Sequence, residues 1–159
     1  MGNVAAMIAG AVLGSATPAA AADWRLLTTS NDNGRVVLYI DAASLEDSGG
    51  RKLVRLERVH ETKSEHGAKQ AMSRIAIDCA KRLIGPRELR SWDDEGRELH
   101  DLSALIEAPE MTEVPPGTVY EDVLAFVCER NREYDHLADD LTPLSDAPEV
   151  FKLMRVRGN

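Results

Sequence analysis

The sequence predicts an α+β domain: an antiparallel meander of five or six strands, covered by one C-terminal helix that a disulfide ties to the sheet. Three observations predict it. Short segments of alternating polarity, separated by turn-forming residues, run from residue 24 to residue 102. A single apolar stripe at helical spacing follows residue 118. The two cysteines, Cys79 and Cys128, fall one in each region.

The strands come first. Residues 24–28 read as a short opening strand, and Asn31-Asp-Asn-Gly34 as a turn, because Asn and Gly adopt positive φ at little cost. Residues 35–40 (RVVLYI) are rich in β-branched side chains and form the next strand; residues 41–45 leave it, and Ser48-Gly-Gly50 turns the chain. Residues 52–61 alternate imperfectly, with Val54 and Leu56 facing one way and Arg55 and Glu57 the other. In 70–79, Ala71, Ser73, Ile75, Ile77 and Cys79 share a face, so Cys79 points to the core. Residues 81–92 form a strand with an edge or bulge at Gly85-Pro86, since proline lacks the ladder donor. Asp93-Asp-Glu-Gly96 is a hairpin turn, and 97–102 return as a last short strand.

The helix follows. Val114-Pro-Pro-Gly117 ends the preceding chain, and Thr118 with Glu121 forms a capping box. Val119, Tyr120, Val123, Leu124, Phe126 and Val127 make the apolar stripe of a helix over about 119–131, with Cys128 flanking it. Beyond Tyr134 the chain is acidic and broken by prolines, then basic at Lys152, Arg155 and Arg157. Residues 135–159 therefore read as an appended tail that buries little area and is dispensable for folding.

The N-terminus carries an address. Residues 1–22 contain no charged side chain, and Ala20 and Ala22 suit the small −3 and −1 pockets of a signal peptidase. The reading is a secretory leader over 1–22, a domain over 23–134 whose mature start is Asp23, and the tail over 135–159. No Lys or Arg precedes Arg25, so the usual positive n-region is missing. An uncleaved leader would instead be a membrane anchor. Neither cysteine lies at the cleavage position, so lipid attachment is not expected. After cleavage nothing remains to insert into a membrane. The expected location is the periplasm or the cell surface.

The leader bears on the cysteines. Two cysteines in an exported chain pair, and there is no Cys-x-x-Cys motif for zinc or redox chemistry. A Cys79–Cys128 bond would enclose 48 residues. The chain-entropy model values a loop of that size at about 4 kcal/mol, against a total stability of about 5–15 kcal/mol for a small domain.

The net charge of −8 falls wholly on residues 23–159 and opposes binding to phosphate backbones, so nucleic acid is not an expected partner. His60-Glu-Thr-Lys-Ser-Glu-His66 lacks zincin spacing, because Ser64 stands where the second His belongs; Thr62 likewise occupies the first His position of the inverted form. No Gly-x-Ser-x-Gly elbow or phosphate loop is present. Asp139 and Asp140 sit in a polar stretch with nothing to tune them. The sequence therefore predicts no catalytic residue, no metal site and no cofactor. Its alternatives to a binding module are a small periplasmic enzyme or an anchored envelope structural protein. Two basic runs, Arg51, Lys52, Arg55 and Arg58, then Lys81, Arg82, Arg87 and Arg90, would make a cationic patch if their strands were neighbours. Arg51, Lys52, Arg55, Lys81, Arg82 and Arg87 are the candidate partner-binding residues, for an acidic protein ligand. Protection of sheet edges accounts for the same residues without a ligand.

An ordered set of short motifs carries a resemblance. Trp24 stands near the mature start; Tyr39-Ile-Asp41 and Ser44 follow; then Ile77-Asp-Cys79, a Gly turn after Trp92, Pro116-Gly117-Thr118 and Val127-Cys128. Over about 23–129 the chain resembles the bacterial surface-adhesin protein E family. The resemblance implies an antiparallel sheet with a disulfide-fastened helix. It implies no enzyme activity, binding of host proteins such as vitronectin or laminin by the founding member, and the ability to form a homodimer. This chain departs from the founding pattern in lacking a lipid-anchor cysteine and in its tail after residue 134.

Overall fold

A computed structural model describes residues 21–31, 34–102, 110–129, 134–138 and 141–157. Residues 1–20 of the expected 1–22 leader, the middle of the Asn31–Gly34 turn, the end of the predicted helix at 130–131, and Asp139 and Asp140 lie outside the described residues.

The meander is as expected. β1 (Trp24–Ser30), β2 (Val36–Ser48), β3 (Arg51–His60), β4 (Gln70–Asp78), β5 (Leu83–Trp92) and β6 (Glu98–Asp101) lie side by side in chain order, each antiparallel to the next. A two-residue strand, β7 (Thr112–Glu113), pairs with the start of β5. The proline-bearing strand stays in the sheet through a bulge: the register shifts between Arg74↔Glu88 and Ile75↔Pro86, leaving Arg87 as the extra residue.

β2 differs from expectation. It does not end at Asp41 but continues to Ser48 through an irregularity between Asp41 and Glu46. Side chains hold this bulge where ladder bonds are missing. The buried Asp41 Oδ1 accepts from the Ala43 amide at 3.1 Å. Ser44 Oγ donates to the Asp41 carbonyl at 2.7 Å and accepts from the Arg55 amide at 2.8 Å. Two of the motif residues behind the family resemblance are thus the fastening of a bulge.

Both faces of the sheet are covered. On the first, Leu38, Ile40, Val54, Leu56, Ile75, Ile77 and Ile84 pack against Val123, Leu124 and Val127. These last three belong to α1 (Val119–Leu124) and its continuation as a π-helical turn over Ala125–Glu129. The expected capping box does not form, because Glu121 reaches the residue before the N-cap. Glu121 Oε2 accepts from the Gly117 amide at 2.9 Å, while Thr118 Oγ1 donates to the Pro115 carbonyl and caps nothing. Cys79 and Cys128 are bonded, with Cα atoms 5.6 Å apart, so the helix is fastened to the β4–β5 turn.

The second face carries a helix that the sequence reading leaves in its tail. α2 (Pro143–Arg157) places Ala147 and Phe151 on Val37, Tyr39 and Val59, with Leu137 beside them. Tyr39 is fully buried and donates to Asp146 Oδ2 at 2.9 Å. Residues 135–137 also line the outer edge of β1, through Leu26 N to Asp135 O and Leu137 N to Trp24 O, both 3.0 Å. The expectation that this segment buries little area is therefore corrected. A column of buried side chains at positions 143, 147 and 151 suffices to seat a helix of poor overall amphipathicity.

Candidate functional site

The predicted basic surface does not assemble. Along a strand successive side chains alternate faces, so Arg51 and Arg55 lie on the α2 face while Lys52 lies on the α1 face with Val54 and Leu56. β4 stands between β3 and β5, which separates the two runs. Three of the six are also engaged by acidic groups. Arg55 meets Asp41 Oδ2 at 3.3 Å and lies 6.0 Å from the Trp24 ring; Lys52 meets Asp47 at 2.7 Å; Arg82 reaches Glu121 at 3.7 Å. Lys81 sits in the β4–β5 turn, its amide on Asp78 Oδ1, and Arg87 is the bulge residue. No single cationic face results from these residues.

What the structure does build is a cleft on the α1 face. α1 covers only part of that face, and the sheet it leaves open forms the floor. A groove of about 990 Å³ runs between the end of β1 (Thr28, Thr29), β2 (Val36, Leu38), β3 (Arg58, His60) and the start of α1 (Gly117 to Asp122). It adjoins an apolar hollow of about 300 Å³ floored by Leu56, Ala71, Ser73, Ile75, Pro86 and Leu89. Leu38, Arg58 and Tyr120 line both, so Arg58 stands where the polar and apolar parts meet.

The charges within this cleft are unevenly satisfied. Glu121 is held by Arg82 and the Gly117 amide, and Glu65 lies 3.4 Å from the exposed His66 ring. Among the described residues the Arg58 guanidinium hydrogen-bonds to the Tyr120 hydroxyl alone, at 3.4 Å. His60 lies on the same face of β3. Burial, then the neighbouring charges of Arg58 and Lys69, holds its imidazole below the ordinary histidine value, which favours the neutral ring at pH 7. Among the described residues no His, Cys, Asp or Glu grouping is suited to hold a metal ion. The cleft offers one guanidinium, a neutral imidazole, the carboxylates of Glu65, Glu121 and Asp122, hydroxyls from Thr28, Thr29 and Tyr120, and an apolar floor.

Sequence reasoning set Arg58 among the basic residues and missed its position. The signal is in β3: on the α1 face the order is Val54, Leu56, Arg58, His60, apolar then basic, and the change marks where the core ends and the cleft begins.

The opposite face holds buried acids instead. Burial keeps the Glu57 carboxyl above the usual carboxylate range, although Gln70 Nε2 donates to it at 2.6 Å and Arg55 lies near. Burial and the bond to Asp146 push the Tyr39 hydroxyl well above its ordinary value.

Two crystal forms of Haemophilus influenzae protein E are similar at 16% identity, one covering 76% of this chain and 98% of that chain at a TM-score of 0.44, the other 74% and 92% at 0.43. No curated protein is significantly similar in sequence. A family model described as surface-adhesin protein E matches residues 24–129, a span that holds the whole meander, the α1 helix and both cysteines, and the chain belongs to that family.

Proposed function

We propose that this chain is an exported, non-catalytic binding protein of the cell envelope, and that it takes a protein ligand in the cleft beside α1. Family membership supports an adhesin-like role at the cell surface. The observation that carries the site is Arg58: a guanidinium at the junction of a polar groove and an apolar hollow, with a phenol as its recorded partner. A ligand segment with an acidic side chain next to an apolar one would satisfy both halves. The alternative is docking on the distributed cations, for which Lys52 and Lys81 are the test residues.

The experiment is surface plasmon resonance of residues 23–159 over immobilised extracellular-matrix proteins and polyanions at low and high salt. Arg58→Glu is expected to weaken any binding found by about tenfold or more, since one lost charge-assisted contact is worth ~1.5–3 kcal/mol. Binding should also fall as the Debye length shortens from about 10 Å at 0.1 M to about 3 Å at 1 M salt. Full binding by Arg58→Glu, with loss in a Lys52→Glu/Lys81→Glu variant, would move the site to the distributed cations.

A further inference from the structure

The Asp23 amide nitrogen donates to Asp41 Oδ1 at 2.9 Å, and Asp41 is 1% exposed. The Asp23 carbonyl in turn accepts from the Ala42 amide at 2.8 Å, so the backbone of Asp23 is clamped on both sides by the β2 bulge. Ala21 and Ala22, immediately before it, are exposed. A carboxylate buried to this degree is normally supplied with a full counter-charge. The cation beside it is Arg55, at 3.3 Å and with its side chain 44% exposed. The remaining donors are the amides of Asp23 and Ala43. One of these two nitrogens lies at the boundary that small residues mark for a processing peptidase.

We propose that Asp41 is the receptor for a new N-terminus made by cleavage between Ala22 and Asp23, so that processing converts a hydrogen bond into a buried ion pair. A signal-type peptidase adds water across the Ala22–Asp23 amide. The C–N bond breaks, Ala22 departs with a carboxylate, and the Asp23 nitrogen takes up protons to become an ammonium. That ammonium stays against Asp41 Oδ1. It requires no movement of the sheet, because the nitrogen already occupies the position. The charged groups around it are Asp41 from β2, Arg55 from β3, the Asp23 side chain and Arg25 from β1, and His136 from the segment along the β1 edge. The inference concerns maturation and holds whatever ligand the cleft takes.

The sign of the pH dependence follows. An ammonium beside a carboxylate has its folded pKa raised above the ~7.7–8.0 of a free α-amine. The extra stability is therefore fully present below that unfolded value and is lost as pH rises through the folded one.

The test begins with mass measurement of the protein exported by cells. A native N-terminus other than Asp23 overturns the cleavage site. Protein beginning at Asp23 is then compared with an N-acetylated form beginning at Ala21, in thermal melts from pH 6 to pH 10. The processed form is expected to melt higher at pH 6, with the difference closing by pH 10. Equal melting at pH 6 would overturn the receptor role even with the cleavage site correct. A third readout needs no unfolding: the α-amine of the folded protein should be acylated about tenfold more slowly than that of Asp41→Asn, which is one pKa unit of protection. Should Asp41→Asn not fold, the same rate is compared with that of an unstructured peptide beginning Asp23-Trp24, and equal rates reject the proposal.

Discussion

At the residue scale, the buried Glu57 on the α2 face couples stability to pH. Glu57 is buried and bonded to Gln70, yet its carboxyl is held above the ordinary range because burial outweighs that bond. A raised carboxyl pKa means the folded protein binds the proton more tightly than the unfolded chain. Glu57 therefore contributes stability below the unfolded carboxyl value, and that contribution is lost as pH rises through the folded one. Glu57→Gln keeps an acceptor for Gln70 and removes the ionisation. The variant and the parent should melt together near pH 4, and the variant should melt higher at pH 7; a variant that melts lower at pH 7 would show that the ionised carboxylate is favoured in place. Asp23, Glu61 and Asp93 act in the opposite sense. Arg25, Arg35 and the Arg97 amide, respectively the main causes, hold these carboxyls below their usual values. Their contributions appear above the unfolded pKa and are lost in acid.

At the scale of elements, alternation and turn residues made the meander legible, and the cysteines made the α1 attachment legible. Cys79 follows a strand whose core face was readable from Ala71 to Ile77, and Cys128 follows a helical stripe. Their bond closes a 49-residue separation. Cys128→Ser should lower stability by ~2–5 kcal/mol in denaturant titration under non-reducing conditions, the range for small secreted domains. No change would mean that α1 packing alone holds the helix down. α2 was not legible by the same means, because its apolar side chains are few and sit among acids and prolines. The missed signal lay in β2. Val36-Val-Leu-Tyr-Ile40 is apolar without a break, and a strand of that kind is buried on both sides. Such a strand requires a second covering element, and the C-terminal segment supplies it. The basic runs failed for a related reason: alternation alone sends Lys52 to the face opposite Arg51 and Arg55.

At the scale of the whole molecule, one twisted sheet separates two apolar layers, each closed by a different helix. The family match ends at residue 129, before α2 begins, so the second layer is sealed from outside the matched span. Truncation after Tyr134 removes Leu137, Ala147 and Phe151 from Val37, Tyr39 and Val59, and leaves the Tyr39 hydroxyl without Asp146. Loss of the Phe151 side chain alone is in the class that costs about 3–5 kcal/mol. The truncated protein should lose its cooperative melting transition or melt far below the parent. An unchanged melt would restore residues 135–159 to the status of a dispensable tail. Among the described residues no helix is long and apolar enough to cross a membrane.

The lining of β1 by residues 135–137 carries a consequence for the order of assembly. β1 is the first strand of the meander, yet it lies between β2 and a segment from near the other end of the chain. A polypeptide emerging N-terminus first, from a ribosome or through a translocation pore, can zip β1 to β2 early. It cannot finish the flank of β1, seat Phe151 on Tyr39 or close the Cys79–Cys128 loop until nearly the whole chain has come through. Completion of this fold therefore depends on residues near the C-terminal end, and a shorter chain leaves the second apolar layer open.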